Sequence, residues 1–144
     1  MGVEPLSGRS LRAEELPRRP RDIERRGSEN DGASIVAALR RLRCRFADED
    51  QLQAMLADGL SQLGFAVRRE VALARGGRID LIVGRVGIEV KIAGQTTAVA
   101  RQLRRYAATS RVDELVLVTT CPRHAGVASV IDGTPVHVVV LASL

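Results

Sequence analysis

Apolar residues recur along the chain with two different periods, and the changes of period mark out the elements. Ile35, Leu39, Leu42 and Phe46 lie three or four apart, with Arg40, Arg41, Arg43 and Arg45 among them. That spacing predicts an amphipathic helix with a basic outer face. Asp48-Glu49-Asp50-Gln51 reads as a second helix start, with Asp48 as cap and Gln51 closing a capping box. Leu52, Met55, Leu56, Leu60 and Leu63 continue it as one stripe until Gly64 stops it. From there the period drops to two. Strands are predicted over 65–73, 78–83 and 87–92, separated by Gly76-Gly77 and by a short turn at Gly84-Arg85. Val99, Leu103 and Tyr106 predict a helix over about 97–109. The aliphatic run in 114–119 reads as a buried strand, and 136–141 as the last one. The order α-β-β-β-α-β-β predicts a mixed α/β fold with a central sheet.

The first 31 residues carry no such pattern. They hold three of the five prolines, and their seven arginines are matched by seven acids. Such a segment buries too little surface to offset chain entropy, so residues 1–31 are expected to be a disordered tail and 32–144 a single domain. The net charge of +5 therefore stems from Arg40, Arg41, Arg43 and Arg45 with a small excess further on, which suits a polyanionic partner. Only three aromatics are present, Phe46, Phe65 and Tyr106, too few for the stacking platform of a single-strand binder. Cys44 and Cys121 lack CxxC spacing and read as reduced thiols. No apolar run is long enough for a membrane span, and a cytoplasmic protein without a membrane partner is expected.

Lys91 is the only lysine among 22 basic residues. Where arginine serves everywhere else, one lysine points to a chemical need. An ammonium is a compact charge that can approach a water and a phosphate oxygen, whereas a guanidinium is a bulky planar fork. Alternation along 78–83 puts Ile79, Leu81 and Val83 on one face and Asp80 on the other. In 88–92 it puts Glu89 and Lys91 together, opposite Ile88, Val90 and Ile92. A short antiparallel hairpin brings Asp80 across from or diagonal to Glu89 and Lys91, about 5–8 Å between Cβ atoms. Two carboxylates so placed can share a hard divalent cation.

Ile79-Asp80 followed by Glu89-Val90-Lys91, within this element order, resembles the PD-(D/E)XK nuclease superfamily, in particular its small restriction-endonuclease-like and junction-resolvase-like members. The core of the resemblance spans about 48–120, with Ile79 where the name-giving proline would stand. Glu49-Asp50-Gln51-Leu52-Gln53 and Gln102-Leu103-Arg104-Arg105-Tyr106 extend it. The resemblance implies a restriction-endonuclease-like αβββαβ core, with helices flanking a mixed sheet, and a metal-dependent nuclease. It implies that Asp80, Glu89 and the Val90 carbonyl bind Mg²⁺ or Mn²⁺, with Glu49 supporting that site or a second ion. Lys91 would hold or polarise the attacking water, and Gln102 would contact the metal-bound water or the phosphate. Tyr106 would pack beneath.

The expected partner is nucleic acid, DNA before RNA, and a homodimer would suit cleavage of both strands. Arg101, Arg104 and Arg105, and Arg40 and Arg41 on the first helix, are candidate phosphate contacts or ordinary solvated faces. Glu70 is expected at a solvated strand edge, and His124 on a surface loop. His124 and His137 lack metal spacing, and Gly76-Gly77 is a turn without the GK[ST] of a phosphate loop. The competing functional class is a non-catalytic nuclease-fold module for binding or assembly, against which the complete Asp80/Glu89/Lys91 set argues.

Overall fold

The computed structural model describes residues 30–75 and 77–142. The expected tail therefore lies outside the described residues, apart from Asn30 and Asp31, as does Gly76 of the Gly76-Gly77 turn. Nine elements follow, apart from a short 3-10 turn at Pro122–Gly126: α1 (Gly32–Arg41), α2 (Glu49–Gln62), β1 (Val67–Leu73), β2 (Gly77–Val83), β3 (Val86–Lys91), α3 (Thr96–Ala107), β4 (Glu114–Thr119), β5 (Val130–Ile131) and β6 (Thr134–Val140). The strands form one six-stranded mixed sheet in the order β1-β2-β3-β4-β6-β5. β1, β2 and β3 make an antiparallel meander, β3, β4 and β6 run parallel, and β5 returns antiparallel on β6. The fold is thus α/β, a central mixed sheet with helices on both faces.

α1 begins at the cap Asp31, whose Oδ1 accepts from Ser34 N at 2.8 Å. It stops at Arg41, five residues short of Phe46. Beyond it Leu42, Cys44 and Phe46 are partly buried while Arg43 and Arg45 are exposed, an extended alternation. The same apolar residues satisfy a period of two as well as of 3.6, and packing chose between them: Leu42 seats on α2 at Gly59, where an added Cβ would come within 2.8 Å of it. α2 starts as expected, Asp48 Oδ1 accepting from Gln51 N at 2.8 Å. Gln51 Oε1 reaches back to Ala47 N rather than to Asp48 N.

The core is split by the sheet. α1 and α2 cover one face, with Leu39, Leu52, Leu56 and Leu60 against Leu81, Val83, Ile88, Val90, Val116 and Val118. α3 covers the other, with Val99, Leu103 and Tyr106 against Ile79, Ile82, Leu115 and Leu117. Gly87 lets β3 lie close under this second layer; a Cβ there would meet Ile79 Cδ1 at 2.5 Å.

Ile79 therefore does not share a face with Leu81 and Val83, as strict alternation predicts. β1 and β2 pair from Val67↔Val83 to Arg69↔Leu81 and again from Val71↔Ile79, but the step between, Glu70 opposite Asp80, is unpaired. Glu70 has φ 47°, in the left-handed region, and the side-chain parity changes there. Glu70 is exposed and ion-paired with Arg78 at 3.5 Å, a solvated edge acid as expected.

Candidate active site

β2 and β3 join through the two-residue turn Gly84-Arg85, and Val83↔Val86, Ile82↔Gly87 and Leu81↔Ile88 are paired. Pairing ends there. Continuing the register would set Asp80 opposite Glu89, but the Asp80 side chain intervenes, Oδ2 accepting from Val90 N at 2.8 Å. Behind the strand, Gln53 of α2 donates to the Asp80 carbonyl at 3.3 Å. A carboxylate has taken the place of a ladder carbonyl, and the β2–β3 ladder ends at Leu81↔Ile88.

Glu89 lies on the α3 side of β3 and is 2 % exposed. Its Oε1 accepts from Gln102 Nε2 at 3.2 Å and sits 3.6 Å from Lys91 Nζ. Its Oε2 is buried with no hydrogen-bond partner. A buried polar atom left unpaired costs about 1–3 kcal/mol, more if charged. Burial foremost, then the negative charge of Asp80, pushes the Glu89 carboxyl up to about 8 against the pull of Lys91. Burial likewise raises Asp80, against its hydrogen bond from Val90 and the charge of Lys91. Two acids both shifted toward their neutral forms mark a site where negative charge is concentrated and poorly solvated.

Gln102 is held by Tyr106 one turn on. Gln102 Nε2 is 2.7 Å from Tyr106 Oη, which donates to the Arg78 carbonyl at 2.9 Å. Burial and the nearby Glu89 keep that phenol protonated, above its ordinary range. Tyr106 does pack beneath the site, as expected, and also fixes Gln102 from α3 against Glu89 on β3. Glu49, at the first turn of α2, reaches the end of β3, its Oε2 accepting from Ile92 N at 3.1 Å. Its charge is felt by Asp80, though only as the smallest influence there.

Asp80, Glu89, Lys91 and Gln102 are thus brought together, with Glu49 at the margin. Among the described residues no three His, Cys, Asp or Glu side chains converge into a ready-made metal cage. The donor set that remains is Asp80, Glu89 and the Val90 carbonyl. The orphaned Glu89 Oε2 fits a divalent cation, which would supply the partner it lacks.

The five candidate arginines do not gather into one patch. Arg40 and Arg41 are exposed at the end of α1, on one face of the sheet. Arg101, Arg104 and Arg105 are exposed on α3, across the sheet, and Arg104 lies 3.8 Å from Asp132.

His124 is not on a surface loop. It is fully buried in the 3-10 turn after β4. Nε2 is 2.8 Å from the Gly94 carbonyl, which can only accept, so that nitrogen carries a hydrogen. Thr119 Oγ1 is 2.6 Å from Nδ1 and accepts from Cys121 N; in the tautomer with the hydrogen on Nε2 the hydroxyl donates to the ring. The imidazole thereby pins the 92–95 loop that links Lys91 to α3. Residue order gave no sign of this, because Thr119 and Gly94 belong to other elements. Gln53, part of the Glu49–Gln53 run, had no role assigned; its position one turn after Glu49 was the available signal. His137 pairs with Glu114 at 2.8 Å and the same oxygen accepts from Gly32 N, a clamp on the start of α1. Cys44 and Cys121 are free, as expected.

No helix among the described residues is long and apolar enough to cross a membrane. Compared with family models, with curated proteins and with solved structures, the chain matches none.

Proposed function

We propose that the protein is a metal-dependent nuclease that hydrolyses phosphodiester bonds, in DNA before RNA. The observation that carries the reading is the buried, unpartnered Glu89 Oε2 beside Asp80 and the lone Lys91. Leaving a carboxylate oxygen dry and unpaired is unfavourable unless a ligand completes it. On this reading the run α2-β1-β2-β3-α3-β4 is a restriction-endonuclease-like core.

Asp80, Glu89 and the Val90 carbonyl would hold Mg²⁺ or Mn²⁺. Bound there, the cation supplies charge neutralisation for the phosphate and lowers the pKa of a water. The chain's own groups do the rest. Lys91, its side chain 22 % exposed and its Nζ 3.6 Å from Glu89, donates to the attacking water while countering the charge that develops on the phosphate. Gln102, anchored by Tyr106, holds Glu89 in place and fixes which oxygen faces Lys91. Glu49 ties the end of β3 to α2 and keeps Lys91 from swinging away. Arg101 and Arg105 on α3, and Arg40 and Arg41 on α1, are available for backbone phosphates.

A second reading, a nuclease-fold module that binds nucleic acid without cutting it, is favoured by one observation: among the described residues no third His, Cys, Asp or Glu joins Asp80 and Glu89. Incubation of the full-length protein with supercoiled, linear, single-stranded and branched DNA, with Mg²⁺ or with EDTA, separates the two. Cleavage that needs the cation is expected. Cleavage undiminished by chelator overturns the metal mechanism, and binding without any cleavage selects the second reading.

A further inference from the structure

β5 and β6 close the sheet on one side, but they close only half of it. β5 pairs with β6 at Val130↔Pro135 and Ile131↔Thr134, and Ser129 O accepts from Val136 N at 2.8 Å. Past Val136, no strand among the described residues lies outside β6. The direction of its backbone groups follows from its inner neighbour. Leu141 N donates to Thr119 O at 2.8 Å, in a parallel ladder that pairs Thr119 with Val140. Odd-numbered residues of β6 therefore turn their N–H and C=O to β4, and even-numbered ones turn them outward. Val138 and Val140 present both groups to the outer side. Val140 and Val130 are 43 % and 56 % exposed, so two of the three large apolar residues exposed in the described chain lie along this margin.

The opposite margin is built differently. β1 carries Arg68, Arg69 and Glu70, all exposed, and Glu70 kinks the strand at φ 47°. Charges and a kink keep an edge strand from recruiting another. From Thr134 to Leu141 there is no charged residue, and four of the eight positions are valine. Pro135 pairs with β5 and, being odd-numbered, turns its backbone inward, so it does not blunt the open part of the edge.

We propose that this half-covered edge pairs antiparallel with the same edge of a second copy, forming a two-fold dimer with one sheet running through both. A two-fold axis sets a strand against itself, and this strand suits that. Val138 of one copy would face Val140 of the other, β-branched residues that pair well across strands, and no charge is set against a like charge. A charged partner strand would meet no counter-charge on β6. The chain's own first 29 residues are a poor occupant, with three prolines and only two β-branched residues, Val3 and Ile23.

Sedimentation equilibrium of the full-length protein over a broad concentration series tests this, with Val138→Pro and Val140→Lys. The proline removes only an outward N–H and leaves the β4 ladder whole. The lysine keeps every backbone group but places two like charges at the joint. Dimers are expected for the wild type, with a dissociation constant raised more than about tenfold in each variant and an unchanged circular dichroism spectrum. Leu63→Lys, at the third exposed apolar position, should leave the dimer intact. A wild type that stays monomeric overturns the proposal. So does a dimer that survives both substitutions, or a monomer whose Val138 and Val140 amides resist exchange, which would mean the chain covers its own edge.

Discussion

Replacing Glu89 by Gln tests the electrostatics of the site most directly. The unfolded chain ionises Glu89 near 4.5, whereas the folded protein holds the proton to about 8. Between those values the folded state binds more protons than the unfolded one. Stability therefore falls as pH rises through this window, is full below about 4.5 and has lost this contribution above about 8. At 1.36 kcal/mol per pH unit the difference amounts to about 5 kcal/mol. Lys91 and Asp80 share the charge, so a loss of roughly 3–5 kcal/mol is the working figure. Asp80 is raised too, and its loss runs in the same direction. Glutamine keeps the shape and the acceptor for Gln102, adds a donor toward Asp80, and cannot ionise. Urea unfolding of the full-length protein in chelator, from pH 5 to pH 9, reads the effect. The wild type should lose stability between pH 6 and pH 8, and Glu89→Gln should be nearly flat there. Mg²⁺ at pH 8 should restore the wild type and leave the variant unchanged, because a ligand stabilises only the state that binds it. A wild type that is flat between pH 6 and pH 8, or a variant that falls as steeply, would refute the reasoning.

Three other substitutions bear on the same site. Lys91→Arg should abolish cleavage while cation-induced stabilisation persists, since the ligands remain; near wild-type turnover would remove the special role of the ammonium. Glu49→Gln keeps an acceptor for Ile92 N and should cost about 0.3–1 kcal/mol as a lost first-turn charge, so unfolding and turnover measured together show whether α2 serves the chemistry or only the fold. His124→Ala should destabilise the protein by about 2–4 kcal/mol, by leaving the Gly94 carbonyl and Thr119 hydroxyl without partners and opening a cavity; faster amide exchange across 93–96 would locate the damage, and unchanged exchange would deny the pin.

Alternation and helical spacing within single segments made much of this molecule legible. α2, the three-strand meander with its turn at Gly84-Arg85, α3 and β4 follow from local pattern, because each buries one face and the period of that face is written in consecutive residues. So does the gathering of Asp80, Glu89 and Lys91, which needs only a short hairpin, and of Gln102, one helix further on. What local pattern could not decide was set by contacts between segments distant in sequence. Leu42, Cys44 and Phe46 fit a helix and a strand equally, and Gly59 of α2 resolved the choice. Ile79 left the face its parity assigns because the Glu70–Asp80 step is unpaired and the Asp80 carboxylate bonds to Val90. His124 became a buried pin only when the β3–α3 loop brought Gly94 to it, and the missed β5 is a two-residue strand defined by β6 alone. The charge of the site has the same origin. The sequence supplies two carboxyls and a lysine. Tertiary burial withdraws Glu89 from water and leaves one oxygen without a partner, since desolvation depends on everything packed around a group and not on the residues beside it in the chain.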